Sequence, residues 1–391
     1  MANEGSDLLE QVDRHLDCPV QSWLLGAGIS KDAKIPLMGP LTARVMALAH
    51  DSQHEELLTC LMDELPEGAH VEHLLSQLGD YASLAERSRS GHAPVGVTTI
   101  DLATLTNTHE QVLRWIADTV RWGYVPPGQD GDGEEEGVPS KPIVKVGDHV
   151  AFIRALFGTA QAGLQERRPP VDLFTTNYDT LIEDALALAC IPYWDGFTGG
   201  AVAFRGHRFG QPVEDAGHRA RIIKLHGSID WHLGEDGRVW RVRDADAYPE
   251  QGVRVLIYPQ ATKYQATQRD PFAAQFELLR SALATTRDNI LAVCGYSFGD
   301  EHINQEIELA MERFDSKTTL LAFCSERYGY PPILEQWRNR FWGKRVYVMT
   351  DRGLYAGQEG PFFEPPVGQS LNWWTFAGVT RLLRDGAEGS M

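Results

Sequence analysis

Short apolar runs alternate with polar turns and with stretches of helical spacing along much of the chain. In residues 171–190 a β-prone run of Val171, Leu173 and Phe174 leads into a polar turn, after which apolar residues return at helical intervals. Strand, tight turn and helix in this order form the unit of open α/β sheets. Other strands are predicted at 22–25, 221–225, 239–244, 253–259, 289–295, 318–324 and 345–350. The pattern predicts an α/β fold, with a Rossmann-like open, mostly parallel sheet and helices on both faces.

The pattern changes between the first strand and the strand at 171. Residues 40–125 carry amphipathic helical stripes and few strand signals, apart from a loop-like stretch at 91–99. This predicts a large helical insertion at 40–150 within a single domain of residues 1–391. Residues 126–142 are rich in Pro, Gly and acidic side chains, so they are predicted to be a disordered surface loop. A further helix is predicted from His149 to Leu164.

Composition narrows the class of protein. The 36 basic and 54 acidic residues give a net charge of -18, which repels nucleic acid and makes direct nucleic-acid binding unexpected. Five widely spaced cysteines contain no CxxC pair, which argues against a zinc ribbon and a disulfide framework and fits a reducing cytoplasm. No signal-peptide pattern and no run of roughly 18 apolar residues is present, so a cytoplasmic protein without a membrane span is expected.

Four predicted strands end in unusual polar turns, at 26–30, 175–179, 226–228 and 295–300. Parallel strands would place all four turns along one edge of the sheet, where open α/β sheets bind ligands. Each turn also has a plainer explanation. The glycines can simply turn the chain, Asn177, Asp179 or Asp300 can cap a helix, and His226 can be a buried structural histidine. Four such turns on one edge favour a ligand site.

Together these motifs resemble the sirtuin family. The resemblance rests on G-A-G-x-S with a following I-P, on T-x-N-x-D, on L-H-G and on G-x-S, and it covers about residues 20–50 and 170–330. The late segments KLHGSIDW, LIYP and GYSFGDEHIN look most like bacterial sirtuin-like proteins of anti-phage defence, which use NAD without a protein substrate. Two features depart from the protein-deacylating sirtuins: the four-cysteine zinc module is missing, and Leu37 stands where those enzymes have an acidic residue.

The resemblance implies a role for each motif. NAD+ is the expected substrate, and neither zinc nor another metal is expected. His226 would act as general base, Asn177 would orient the ribose or the water, and Asp179 would fix the turn or contact the ribose. The glycine turn would receive the pyrophosphate by backbone amides. The residues expected to bind the dinucleotide are Gly26, Ala27, Gly28, Ser30, Thr176, Gly295 and Ser297.

The expected function is that of an NAD+ hydrolase (NAD+ glycohydrolase) that depletes NAD+ in anti-phage defence by abortive infection. The alternatives are a non-catalytic subunit that senses NAD or ADP-ribose, and a nuclease or ADP-ribosyltransferase of a defence complex. A free NAD-depleting enzyme would poison its host, so a homo-oligomer and a regulating partner protein are expected. The resemblance favours a HerA-type hexameric ATPase as that partner, with an Argonaute protein second.

Overall fold

The computed structural model describes residues 2–128, 133–158, 169–214, 216–234, 237–243, 253–256, 270–327 and 329–390. The helices of this part of the chain are α1 (Ala2–Leu16), α2 (Met38–Ala49), α3 (Glu55–Glu64), α4 (Val71–Arg87), α5 (Leu102–Trp122), α6 (Gly147–Gly158), α7 (Leu181–Leu188), α8 (Phe272–Leu283), α9 (Glu301–Glu312), α10 (Pro332–Arg338) and α11 (Phe376–Asp385). The helix predicted to continue to Leu164 is described as far as Gly158, and residues 159–164 lie outside the described residues.

The strands of the described residues form one large sheet, one smaller sheet and two short pairs. They are β1 (Gln21–Leu25), β2 (His92–Val95), β3 (Thr98–Asp101), β4 (Tyr124–Val125), β5 (Glu135–Glu136), β6 (Val171–Thr175), β7 (Tyr193–Trp194), β8 (Phe197–Gly199), β9 (Val202–Arg205), β10 (Ala220–Lys224), β11 (Gly227–Leu233), β12 (Val239–Val242), β13 (Val253–Leu256), β14 (Asn289–Cys294), β15 (Thr318–Phe323), β16 (Val346–Thr350), β17 (Gly353–Ala356) and β18 (Glu359–Phe362). The strand predicted at 253–259 is described to Leu256, and 257–259 lie outside the described residues.

The main sheet has the strand order β18-β17-β16-β15-β14-β1-β6-β10-β7 in the described chain. The strands from β16 to β7 run parallel to their neighbours, and only β17 and β18 are antiparallel. The predicted open, mostly parallel α/β sheet is therefore confirmed. A second, antiparallel sheet of order β13-β11-β12-β9-β8 follows the main sheet at β11.

Both faces of the main sheet are covered by helices. In β1, Trp23 and Leu25 pack into a core shared with α1, α6, α7 and α11, whereas Leu24 packs into a second core shared with α8, α9 and α10. Strand β14 alternates in the same way, with Ala292 on the first face and Val293 on the second. Burial on both faces explains why these strands are continuous apolar runs in the sequence.

The segment between β1 and β6 is mainly helical and builds a third core from α2 to α5. Leu181 of α7 and Ile229 of β11 belong to this core, so it adjoins the turns that follow β6 and β10. The loop-like stretch at 91–99 is instead a β-hairpin, because Gly96 with φ 55° allows a two-residue turn between Val95 and Thr98. The division into a single domain with an insertion stays a prediction.

The acidic segment 126–142 was expected to lack packed structure, and its described part differs from that expectation. Glu135 and Glu136 pair with β4 as the short strand β5. Basic side chains of the neighbouring elements hold this strand: Lys34 lies 3.3 Å from Glu135, and Arg44 pairs with Glu136. Local charge pairing therefore stabilises the strand at these two residues, and disorder of the acidic loop as a whole stays a prediction. Among the described helices, none combines the length and the apolarity needed to cross a bilayer.

Candidate functional site

The four polar turns begin at one level of the main sheet. Cys294 of β14 pairs with Leu25 of β1, Leu25 pairs with Thr175 of β6, and Thr175 pairs with Lys224 of β10. These four residues form one row across the sheet, and each of them ends its strand or comes directly before the turn. The expectation that the turns share one edge is therefore confirmed by the strand register.

The turn after β6 is tied to the end of β1. The Thr175 hydroxyl donates to the carbonyl of Leu25 at 3.0 Å and accepts the Asn177 amide at 3.0 Å. The amide of Thr176 donates to the same Leu25 carbonyl at 3.1 Å, and the Thr176 side chain is half-buried. These bonds fix the direction in which the Asn177 side chain leaves the sheet.

Ser30, at the end of the 3-10 turn Ala27–Ser30, joins the glycine turn to the Asn177 turn. Its hydroxyl donates to Asp179 Oδ2 at 2.8 Å and accepts from Asn177 Nδ2 at 3.1 Å. Asp179 Oδ1 accepts a hydrogen bond from the Leu181 amide at 3.0 Å, so Asp179 also satisfies a main-chain donor at the start of α7. All three side chains are buried, and Asn177 Oδ1 has no protein partner among the described residues. The sequence motifs at 26–30 and 175–179 thus form one hydrogen-bonded unit.

His149 of α6 is a member of this unit to which the sequence assigned no role. Its Nε2 lies 3.4 Å from the Ser30 hydroxyl, and the imidazole is fully buried beside Phe376. Burial lowers the pKa of His149, and the nearby Asp179 carboxylate opposes that shift. The neutral ring can therefore hold the Ser30 hydroxyl without adding charge to the site.

Lys224 stabilises the same turn by a hydrogen bond to its main chain. Its ammonium donates to the main-chain carbonyl of Asp179 and lies 3.2 Å from the Glu183 carboxylate. Burial raises the pKa of Glu183 to about 7, and although Lys224 lowers it, the neighbouring Asp230 raises it further. A lysine inside the apolar run RIIKL was the signal for this contact, since a buried lysine needs acceptors nearby.

His226 leaves the sheet at the same level as Asn177. Lys224 is opposite Thr175, and each of the two predicted site residues comes two positions later in its own chain segment. No hydrogen bond joins His226 to the Asn177 unit among the described residues. Instead, His226 Nε2 lies 2.8 Å from Asp300 Oδ2, and the exposed side-chain fractions are 14% for His226 and 9% for Asp300. Asp300 also caps α9, as its sequence position suggested, by accepting the His302 amide.

The glycine turn after β1 packs against the glycine that follows β14. The amides of Gly26 and Gly28 donate to the carbonyls of Cys294 and Gly295, at 3.0 and 2.8 Å. A Cβ atom on Gly26 would lie 2.5 Å from the Gly295 carbonyl oxygen, and Gly295 itself has φ 67°. These glycines are thus required for close backbone contact, and their two amides are already used within the protein. Ala27 and Gly28 are exposed at the edge, and Ser297 is also exposed, with its hydroxyl accepting the Gly299 amide at 3.3 Å.

A cavity of about 800 Å³ lies elsewhere, between α3 and the hairpin β2–β3. Its lining includes Glu55, Glu56, Asp63 and Glu64. Four carboxylates disfavour a dinucleotide, because its pyrophosphate is negatively charged. The edge of the main sheet is therefore the better candidate for the active site.

An open α/β sheet with buried amide, imidazole and carboxylate groups at its carboxyl edge defines a Rossmann-like protein, a class in which ligands bind at this edge. Residues 171–342 match the family model described as SIR2-like domain. This part of the chain is therefore similar to SIR2-like domains. The matched range contains Asn177, Asp179, His226 and Gly295, while the glycine turn at 26–30 precedes it.

Two solved structures are similar to the chain at low identity. The structure entitled "Structure of Sir2Tm bound to a propionylated peptide" is 11% identical, with a TM-score of 0.35, and the match covers 81% of this chain and 86% of that one. "The Structural basis of Sirtuin Substrate Affinity" is 12% identical, with a TM-score of 0.34, covering 80% and 85%. No curated protein sequence matches the chain.

Proposed function

We propose that the protein is an NAD+ glycohydrolase, which cleaves NAD+ to nicotinamide and ADP-ribose. The observation that carries the proposal is the single row of strand ends, which brings Asn177 and the His226–Asp300 pair to one edge of the sheet. The SIR2-like match over 171–342 supports NAD+ as the ligand. The sheet edge supports the proposed chemistry, and the family match supports the proposed ligand.

The residues present fit a dinucleotide. Asn177 Oδ1 is buried and has no protein partner in the described part of the chain, so it can accept a hydrogen bond from a bound ligand. Ala27 and Gly28 are exposed at the same edge, and their own small side chains allow phosphate oxygens to approach the backbone closely. Ser297 offers an exposed hydroxyl beyond β14 for the adenosine side of the ligand.

The reaction requires a leaving group, a nucleophile and a proton acceptor. The bond between C1′ of the ribose and the nicotinamide nitrogen breaks with its electron pair going to the nitrogen, so that nicotinamide leaves as a neutral molecule. A water oxygen forms the new bond to C1′, through a transition state with positive charge on the ribose. His226 accepts the proton of that water or of a ribose hydroxyl, and Asn177 orients the attacking or attacked group. The products are nicotinamide, ADP-ribose and one proton.

Two sequence features support hydrolysis over protein deacylation. The five cysteines contain no pair with metal-ligand spacing, so the zinc module of the deacylating relatives has no ligands here. Leu37 replaces the acidic residue that follows the I-P element in those relatives. Water is then the simplest acceptor for the ADP-ribosyl group.

The proposal is tested by incubating the purified chain with NAD+ and following nicotinamide and ADP-ribose by chromatography. We expect turnover by the wild type and at least about a 100-fold loss in His226→Gln and in Asn177→Ala, as removal of a general base or of an orienting amide commonly gives. His302→Gln, which changes a histidine of α9 without a role in the chemistry, is the matched control. Binding of NAD+ by calorimetry with no nicotinamide released would contradict hydrolysis and favour the sensing function.

We further propose that this activity depletes NAD+ in anti-phage defence and is restrained by assembly. The support is the likeness of KLHGSIDW and GYSFGDEHIN to defence-associated relatives, together with the toxicity of an unregulated NADase. Homo-oligomerisation and a HerA-type hexameric ATPase, or an Argonaute protein in second place, are the proposed means. Light scattering of the chain alone and with a co-expressed ATPase tests this, and a monomer that turns over NAD+ at full rate in every condition would contradict it.

A further inference from the structure

We infer that Asp300 is a positioning residue for His226, one that selects the ring nitrogen available for chemistry. The inference rests on the proposed function for its catalytic consequence, but its structural part is independent of it. Asp300 Oδ2 lies 2.8 Å from His226 Nε2. An ionised carboxylate only accepts hydrogen bonds, so a neutral imidazole in this contact carries its proton on Nε2 and keeps the Nδ1 lone pair available for chemistry.

The pair joins two distant strand ends. His226 follows β10 and Asp300 follows β14, and the strands β6 and β1 lie between them in the sheet. Three strand spacings amount to about 14 Å, so the side chains and the segment 295–300 together extend across the edge, past the turns that follow β1 and β6. No local turn preference can bring together two residues whose strands are this far apart in the sheet. The contact between His226 and Asp300 therefore depends on the arrangement of the whole edge.

The segment that carries Asp300 is held firmly. The Tyr296 hydroxyl donates to the Asp300 carbonyl at 3.1 Å, and Asn304 Nδ2 donates to the Phe298 carbonyl at 2.7 Å. Gly295 and Phe298 adopt φ values of 67° and 60°, which place the segment against the glycine turn after β1. Asp300 therefore occupies a defined position before it meets the imidazole.

The two oxygens of Asp300 have separate tasks. Oδ1 accepts the His302 amide at 3.2 Å and caps α9, and Oδ2 accepts from His226. A cap needs only one acceptor, which Asn would supply equally well. The negative charge is needed only for the contact with His226, since a carboxylate orients the imidazole and stabilises the imidazolium that forms when His226 takes a proton.

Because the two oxygens of Asp300 accept different hydrogen bonds, one substitution can remove the charge and keep the helix cap. Asp300→Asn keeps a cap and removes the charge. Asp101→Asn is the matched control, because Asp101 caps α5 through the Thr104 amide and belongs to the helical insertion. The first measurement is ¹⁵N NMR of the histidine-labelled protein, with the His226 signals assigned by their loss in His226→Gln. We expect the wild type and Asp101→Asn to show one tautomer with the proton on Nε2, and Asp300→Asn to show a mixture or a reversal.

The second measurement is steady-state NAD+ hydrolysis. We expect kcat to fall on the order of 100-fold in Asp300→Asn with KM changed less than about threefold, and no change in Asp101→Asn. The inference is overturned if the His226 tautomer is the same in Asp300→Asn as in the wild type, or if kcat is retained while His226→Gln is inactive. If the wild type hydrolyses no NAD+, the proposed function fails by itself, and the tautomer measurement still decides whether Asp300 sets the state of His226.

Discussion

The ammonium group of Lys224 connects the carboxylate of Glu183 to the main-chain carbonyl of Asp179. Lys224 and Glu183 are both almost fully buried. The Asp179 carbonyl that accepts from Lys224 belongs to the turn that carries Asn177. A buried ion pair costs much of its Coulomb energy in desolvation, but the loss of one partner leaves an uncompensated charge. The stability of the turn therefore depends on this pair.

Lys224→Met should lower the free energy of unfolding on the order of 2–4 kcal/mol, because the Asp179 carbonyl loses its donor and Glu183 loses its counter-charge. Urea unfolding followed by circular dichroism measures the change. The double variant Lys224→Met with Glu183→Gln should recover part of the loss, since it leaves neither charge unpaired. Equal stability of the wild type and Lys224→Met would contradict the importance of the pair.

Glu183 should make stability depend on pH. Its pKa rises from 4.5 to about 7 on folding, so between these values the folded chain binds more protons than the unfolded chain. Stability from this group is complete below about pH 4.5 and is lost as the pH rises through 7. The loss is on the order of 3 kcal/mol.

The measurement for Glu183 is the free energy of unfolding at pH 5 and at pH 8. Glu183→Gln should reduce the fall between the two values, because the amide does not titrate. A variant with the same fall as the wild type would show that other groups cause it. His302→Gln provides a comparison at a site remote from the buried pair.

Ser30→Ala should destabilise the fold by about 1–3 kcal/mol and weaken activity. Without the hydroxyl, Asp179 Oδ2 loses a donor and Asn177 Nδ2 loses an acceptor in a buried place. Ser76→Ala is the matched control, because the Ser76 hydroxyl bonds to the Glu72 carbonyl within α4, where Ala is favourable. Thermal melting and NAD+ turnover of both variants give the comparison, and a Ser30→Ala protein as stable and active as Ser76→Ala would refute the proposed unit.

Gly295→Ala should cost more than about 2 kcal/mol of stability. The added Cβ would lie 2.5 Å from the Ile29 amide nitrogen, and φ of 67° is unfavourable for Ala. Gly299→Ala, four residues along the same segment, meets only the Ser297 hydroxyl at 3.3 Å and should be much milder. Comparable melting temperatures for the two variants would show that the glycine turns do not pack as described.

Several features of the site could be predicted from residues close together in the chain. Strand, turn and helix around Asn177 follow from a local change of hydrophobic period, and the glycines at 26–28 mark a tight turn by their conformational freedom. The apolar strands also indicate a sheet that is buried on both faces, as the cores around Trp23 and Leu24 show. Each of these inferences rests on residues that lie within a few positions of one another in the sequence.

The partners of the site residues were decided by the tertiary structure. Ser30 and Asp179 are 149 positions apart, and His226 meets Asp300 across two intervening strands. Strand order and register bring such pairs together, and neither is encoded in the hydrophobic period of a single segment. The sequence by itself therefore determined which strands end in polar turns. Long-range packing decided that Ser30 joins two of these turns, that Lys224 binds the main chain of one of them and that Asp300 contacts His226 in addition to capping a helix.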